Sequence, residues 1–367
     1  MSNLRNLFLY LDFLKNIGSS KLIRLIKKYE TNKEELFNDY IKNRIETDNI
    51  KIEYNKIWEK EVEHILKKLC KYNIKFVNFL DTEYPQLLRE INNPPFNLYY
   101  IGDLENINLK NTITIVGTRK VSKEGERSAK LFVQHLTEFG ITTISGLALG
   151  VDKIVHEETI QNGGKTIAVL PFAPHIPTPY QNKETYTKIL NTGGIIFSEF
   201  LENVKRSPNL FPVRNRILAG LSMHTLVVEA SLDSGALITA ELAFNYNRYV
   251  YAIPNSIFFE NAKGCNKLIK TNKAKLVEHP SEIIEEMGFK QNNLIKHANI
   301  LKNYNDNDLL TQEEKLIIEK LSKNSMIIDQ LIIETNISLD NLNSILFKME
   351  MKGYVKKAHT GEYELQN

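Results

Sequence analysis

From residue 112 onward the chain alternates short β-branched runs with longer stretches of helical spacing. Few folds accommodate that rhythm, because parallel strands cannot be joined by tight turns and each needs a crossover helix. Six strands are expected, at Thr112–Val116, Ile141–Ser145, Thr166–Leu170, Gly194–Ser198, Thr225–Ala230 and Tyr249–Ile253, with Lys275–Val277 as a candidate seventh. The fold class is therefore α/β, built on a parallel sheet. Such sheets bind ligands outside the carboxyl ends of their strands, near the topological switch point, so the residues just after each strand matter most.

Those loops share one chemistry. Gly117-Thr-Arg-Lys-Val-Ser122 follows the first strand, Ser145-Gly-Leu-Ala-Leu-Gly-Val-Asp152 the second and Ser231-Leu-Asp-Ser-Gly235 the fifth. Glycine lets backbone amides approach an anion closely, and Ser or Thr adds hydroxyl donors. The stretch Phe211-Pro-Val-Arg-Asn-Arg-Ile-Leu-Ala-Gly-Leu-Ser222 places Arg214, Asn215 and Arg216 at the expected first turn of a short apolar helix. Unpaired N–H groups and the positive end of the helix dipole favour an anion there. The candidate phosphate site is thus Gly117, Thr118, Arg119, Ser145, Gly146, Arg214, Asn215, Arg216, Ser234 and Gly235. Neither Gly-x-Gly-x-x-Gly nor a P-loop motif occurs, so dinucleotide and P-loop readings lack their motifs. Phe172, Tyr180 and Phe211 offer aromatic faces that could stack unpaired bases. Asp152 and His156, one helical turn apart, read as a cap and an internal hydrogen bond rather than a catalytic dyad. Glu229 reads as the carboxylate that orients Arg214 or Arg216.

The flanks differ in character. Residues 1–73 carry helical apolar spacing broken at Gly18-Ser-Ser20, a small helical domain of SAM or helix-hairpin-helix type. The Gly18 turn could hold a phosphate, although the second glycine of the hairpin pattern is absent. Ile74–Leu80 reads as a strand and 92–102 as an extended connector, since Pro94-Pro95 excludes helix. Residues 74–285 form the sheet domain, 286–310 an asparagine-rich linker, and 311–367 three helices and a hairpin in winged-helix order. That last domain opens on the capping box Thr311-Gln-Glu-Glu314. Its third helix offers only Lys348 and Lys352 against Asp340 and Glu350. Residues 307–367 carry 7 Lys+Arg against 10 Asp+Glu, whereas 112–285 carry 19 against 16. The balance favours protein contact over DNA reading for the winged helix.

No apolar run approaches the ~20 residues of a membrane span, and the amino terminus lacks the pattern of a secretory signal, so a cytoplasmic protein is expected. Cys70 and Cys265 are distant and expected to be reduced, and the eight histidines show no ligand spacing, so neither a metal nor a cofactor is expected.

Beyond these patterns, several motifs stand in order: Ile115-Val-Gly-Thr-Arg119, Ser145–Asp152 followed by His156, Phe211–Ser222, Val228-Glu-Ala230, Ser234-Gly-Ala-Leu-Ile-Thr239 and Gly264-Cys-Asn-Lys-Leu-Ile269. In sequence and spacing they resemble the DNA-processing protein A (DprA/Smf) family over roughly residues 75 to 285. The resemblance implies an extended Rossmann-like core that binds single-stranded DNA, forms a homodimer and loads the recombinase RecA onto incoming DNA in natural transformation, with no catalytic activity. It also implies a phosphate-binding role for Arg119, with Thr118 replacing the usual serine, and a DNA-binding position at Lys165. The family's Gly-Leu-Asp-x-x-Tyr-Pro segment is replaced here by Pro171-Phe-Ala-Pro-His-Ile-Pro-Thr-Pro-Tyr180, Pro-Gly by Pro254-Asn255, and Glu-Gly-Ala by Asn272-Lys-Ala274. Two rival functions stay open: a Rossmann-like nucleotide hydrolase, of whose loop Ser234–Glu241 is a loose echo, and a nucleotide-sensing core with the winged helix as output.

Overall fold

The computed structural model describes residues 2–13, 18–29, 33–47, 50–52, 54, 57–201, 207, 209–289, 311–321, 325–351, 354–357 and 361–365. Two compact units emerge, residues 1–284 and 285–367.

The first unit is organised by a nine-stranded sheet. A small antiparallel pair, β1 (Ile45–Thr47) and β2 (Ile50–Ile52), lies outside it. The sheet comprises β3 (Lys75–Asn78), β4 (Asn97–Ile101), β5 (Thr112–Val116), β6 (Thr142–Ser145), β7 (Thr166–Leu170), β8 (Ile195–Ser198), β9 (His224–Val227), β10 (Tyr249–Ala252) and β11 (Lys275–Leu276), in the order β11-β10-β9-β5-β6-β7-β8-β4-β3. Strands β5 to β11 are mutually parallel, whereas β4 is antiparallel to β8 and to β3. Every residue of β5 to β9 is buried, as a parallel sheet covered on both faces requires. The six expected strands and the seventh are all present, but the segment expected as a connector, 92–102, contributes β4. The extended backbone that follows the proline pair is what a strand uses, and Asn97, beyond both prolines, is the first residue that must enter the ladder.

The chain winds outward from β5 through β6, β7 and β8, then returns to place β9 on the other side of β5. The switch point therefore lies between β5 and β9. Thr118 N–H donates to Glu229 O at 2.7 Å and Val228 N–H to Val116 O at 3.1 Å, so the two carboxyl ends are tied where they diverge.

The helices Ser2–Phe13, Ser19–Lys28, Lys33–Ile41 and Trp58–Lys71 build the amino-terminal part of the unit. Leu7, Phe8, Leu11, Leu22, Leu25, Ile26, Tyr40 and Trp58 fill its core, and Phe96, which precedes β4, belongs to the same cluster. Arg5 donates to Phe76 O at 3.1 Å and Tyr99 Oη to Asp12 at 3.2 Å, so the helices and the sheet edge pack together. Burial, reinforced by Glu199, lifts the Asp12 carboxyl to about 7. Since its unfolded value lies near 3.9, the folded chain holds a proton there that the unfolded chain releases. Stability on this account falls as pH rises from about 4 to about 7, by at most about 1.4 kcal/mol per pH unit and by less because Asp12 keeps some solvent contact. Asp12→Asn should flatten the thermal midpoint between pH 5 and pH 7 on melting curves; an unchanged slope would remove Asp12 as its source.

In the second unit the helices Gln312–Leu321, Ile328–Thr335 and Leu339–Met351 precede β12 (Val355–Lys357) and β13 (Tyr363–Leu365), an antiparallel hairpin. The capping box forms: Thr311 N–H donates to Glu314 at 2.7 Å and Glu314 N–H to Thr311 Oγ1 at 3.2 Å. Leu342, Leu346 and Met349 are fully buried, with Ile345 packed beside them. Lys352 and most of the expected linker lie outside the described residues.

Candidate functional site

A cleft of about 740 Å³ opens at the switch point. Its floor and walls come from the turn after β5 (Gly117, Thr118, Arg119, Lys120), the start of the helix Val151–Gln161 (Asp152), the helix Leu210–Gly220 (Phe211, Pro212, Arg214, Asn215) and the loop and helix start after β9 (Ser231, Asp233, Ser234, Gly235). Ser234 caps the helix Gly235–Asn245, its Oγ accepting from Ala236 N–H at 3.3 Å, so the positive end of that helix faces the cleft.

Arg214 is the buried cation of the site, 5% exposed. Its Nη1 donates to Val169 O at 2.6 Å, and its guanidinium lies against Gly146, where an added Cβ would sit 2.0 Å from Nη1. Burial, and secondarily Arg119, pulls the Arg214 pKa down to about 10 despite Asp152, which leaves it charged at neutral pH. Its buried Nε has no hydrogen-bond partner among the described residues. Asp152 accepts from Gly146 N–H at 3.1 Å and Ala148 N–H at 3.3 Å, pinning the loop after β6; burial raises its carboxyl above the ordinary range although Arg214 opposes this. His156, fully buried, shares a 2.7 Å hydrogen bond with Thr166, and burial pushes it down to about 3, so it is neutral. His156 thus makes the internal hydrogen bond expected of it, whereas Asp152 is not the cap expected: the N-cap is Gly150, and Asp152, inside the helix, holds the preceding loop instead.

Arg119 and Lys120 are exposed at the rim, and neither pairs with a carboxylate among the described residues. The Arg119 guanidinium sits 5.3 Å from the centroid of Phe211, whose ring meets Phe172 edge-on at 5.9 Å. Three cations therefore converge on the cleft against Asp152 and Asp233, a net positive balance with backbone amides and hydroxyls between. Such a surface can hold a phosphodiester and stack an unpaired base beside it.

The expected residues do not all meet there. Gly117, Thr118, Arg119, Arg214, Asn215, Ser234 and Gly235 line the cleft. Gly146 supports it from beneath Arg214, and Ser145 is buried with its Oγ donating to Ile115 O at 2.7 Å. Arg214–Arg216 occupy the second turn, not the first, because the helix begins at Leu210 and accommodates Pro212 in its opening turn. Their N–H groups are consequently not free for an anion. Arg216 turns away to a buried ion pair with Glu199, since residues two apart on a helix face opposite sides. Glu229 orients neither arginine; it accepts from Ser122 N–H at 2.9 Å. Lys165 precedes β7 and so lies at the opposite end of the sheet, where its Nζ donates to Asn106 O at 2.6 Å. Tyr180 is 73% exposed with Lys183 over its ring, and it is not among the cleft residues. Sequence reasoning missed Lys120, although it shares Arg119's turn, and Asn261, which arrives from beyond β10 and donates to Lys120 O at 2.9 Å.

Among the described residues no cluster of His, Cys, Asp and Glu could hold a metal, and no helix is long and apolar enough to cross a membrane. Cys265 is buried, its thiol pushed up to about 12 by desolvation.

Comparison with known proteins adds to this geometry. The family model for DNA recombination-mediator protein A matches residues 75–288, and that for the DprA winged helix domain matches 305–360. The chain is 39% identical over 219 residues to Protein Smf of Synechocystis, a match covering 59% of this chain and 54%, about half, of that protein. It is 39% identical over 217 residues to the DNA processing protein DprA of Streptococcus pneumoniae, covering 59% and 76%. The X-ray structure of the S. pneumoniae protein superposes with a TM-score of 0.64 at 31% identity, over 77% of this chain and 98% of that one. A Helicobacter pylori DNA processing protein A, whose structure describes its single-stranded DNA binding mode, shares the fold with a TM-score of 0.51 at 24% identity, over 64% and 99%.

Proposed function

The chain belongs to the DNA recombination-mediator protein A family, and from that premise we propose that it is a non-enzymatic binder of single-stranded DNA that passes the strand to the recombinase RecA. It acts as a homodimer through the sheet domain, in the cytoplasm, on DNA taken up in natural transformation. The observation that carries the binding reading is the convergence of Arg119, Lys120 and Arg214 with the helix start at Ser234 in one cleft at the switch point. A concave site suits a flexible backbone better than a rigid duplex, and Phe211 beside Arg119 supplies a face for an unpaired base. The single-stranded DNA binding described for the H. pylori protein supports the same choice of ligand. The hydrolase alternative calls for an arginine and a glutamate, and no glutamate lines the cleft among the described residues. In the winged helix, Ile333 and Phe347 are 80% and 65% exposed on an acidic domain, which supports a protein partner rather than DNA for that unit.

The test is anisotropy of a labelled single strand against the same sequence as duplex, at two salt concentrations. The single strand should bind more tightly, and Arg119→Ala should weaken it severalfold and reduce the slope of log K against log salt by about 0.7, one contact's worth. Equal affinity for duplex with an unchanged slope would overturn the reading, and release of free base from a nucleotide panel would favour the hydrolase.

A further inference from the structure

A second groove, of about 410 Å³, lies between the amino-terminal helices and the sheet domain within the same compact unit. One wall is the helix Ser19–Lys28, which presents Ser20, Arg24 and Lys27; the other is the segment around Arg89, with Phe79 between. Ser20, Ile23, Arg24 and Lys27 fall at i, i+3, i+4 and i+7, a single stripe about 10 Å long. No carboxylate lines the groove among the described residues. Lys27 is exposed and makes no ion pair among the described residues. Arg89 is held in place, its Nη2 donating to Asp81 O at 2.7 Å and its guanidinium resting 5.7 Å from the Phe79 centroid, yet its buried Nε has no partner among the described residues.

We propose that this groove takes a second stretch of the phosphodiester backbone of the strand held in the switch-point cleft; the inference rests on the single-stranded DNA reading above. Three cations on two opposed segments, with Ser20 lengthening the helical wall to about 10 Å, match a linear polyanion better than one compact anion. The two sites also share a support. The helix Leu210–Gly220 puts Phe211 and Arg214 into the first cleft, and its last residue, Gly220, packs on Ile91 and Leu88 beside Arg89. From Phe211 to Gly220 is about 14 Å along the axis, a separation that a strand longer than the first cleft's occupant can bridge. Phe79, partly buried with Arg89 against it, adds an aromatic ring to the groove's lining beside the positive charge, a combination single-strand grooves use.

The experiment compares oligo-dT of about 6 and about 30 nucleotides, lengths that bracket the occupancy of one and several subsites, on the full chain. The double variant Arg24→Ala/Lys27→Ala uses two exposed helix-surface positions. It should leave the short strand's affinity unchanged, weaken the long strand about 5- to 20-fold and reduce its salt slope by about 1.4, two contacts' worth. Arg119→Ala, run alongside, should weaken both lengths. If Arg119→Ala weakens both while the double variant weakens neither, the groove proposal fails and the cleft reading stands. If Arg119→Ala changes neither length, the cleft reading fails. Equal losses of both lengths in the double variant would point to an effect through the fold and overturn the groove. Inorganic phosphate at constant ionic strength should displace neither strand; displacement of the long strand alone would assign the groove to free phosphate.

Discussion

Replacing Arg214 with alanine is expected to destabilise the first unit by about 1–3 kcal/mol, the usual cost of leaving a buried acceptor without its donor, and to abolish single-strand binding. Arg214 and Asp152 make no direct ion pair, yet each is the main charge acting on the other beneath the cleft. Without the guanidinium, Val169 O loses its 2.6 Å donor and the Asp152 carboxyl rises further above the unfolded value. A carboxyl raised in the folded state contributes stability at low pH that is lost as pH rises through its folded pKa. The variant's deficit should therefore be smaller at pH 4.5 than at pH 7.5, on urea unfolding curves. Adding Asp152→Asn should recover part of the loss, giving a sub-additive double-mutant cycle. Arg214→Lys should not rescue binding, because an ammonium cannot keep the Val169 contact and still present donors at the cleft. Strict additivity of the two substitutions would show that Asp152 and Arg214 act independently.

The parallel sheet was readable because its strands are buried on both faces and so appear as continuous β-branched runs; Thr112–Val116 and Thr166–Leu170 match the expected spans to the residue. The rule that ligands sit outside the carboxyl ends of such strands then singled out the loops after the first, second and fifth strands, each of which lends residues to the cleft. What misled was position within elements. Arg214–Arg216 were expected in the first turn, but the helix begins at Leu210 and takes Pro212 as its third residue, which displaced the arginines by a turn. Arg214 and Arg216 were grouped by proximity in sequence, although helical periodicity of about 100° per residue sends them to opposite faces. The same rule that favours carboxyl ends argues against Lys165, since it stands before its strand rather than after it. Asn261 gave no local signal, because only the long-range packing of the segment after β10 brings it to Lys120.

Gly150 shows how tightly the cleft depends on two loops approaching each other. It has φ of +76° and ψ of −128°, a conformation open almost only to glycine. A Cβ there would lie 2.3 Å from Thr118 O and 2.7 Å from the Arg119 carbonyl group, backbone that cannot rotate aside. The next residue, Val151, donates its N–H to Thr118 O at 3.1 Å, so the turn carrying Arg119 is docked on the helix start that carries Asp152. Gly150→Ala should thus cost about 1–3 kcal/mol in backbone strain and a further increment from pushing the Arg119 turn off its seat, with ssDNA affinity falling at least as far as in Arg119→Ala. Gly163 provides the matched control: its φ is +72° but an added Cβ would meet nothing within 4 Å. Gly163→Ala should show the strain alone, about 1–2 kcal/mol, and leave binding intact. If urea unfolding and anisotropy gave the two alanine variants equal losses, the docking of the Arg119 turn on Gly150 would not be what shapes the cleft.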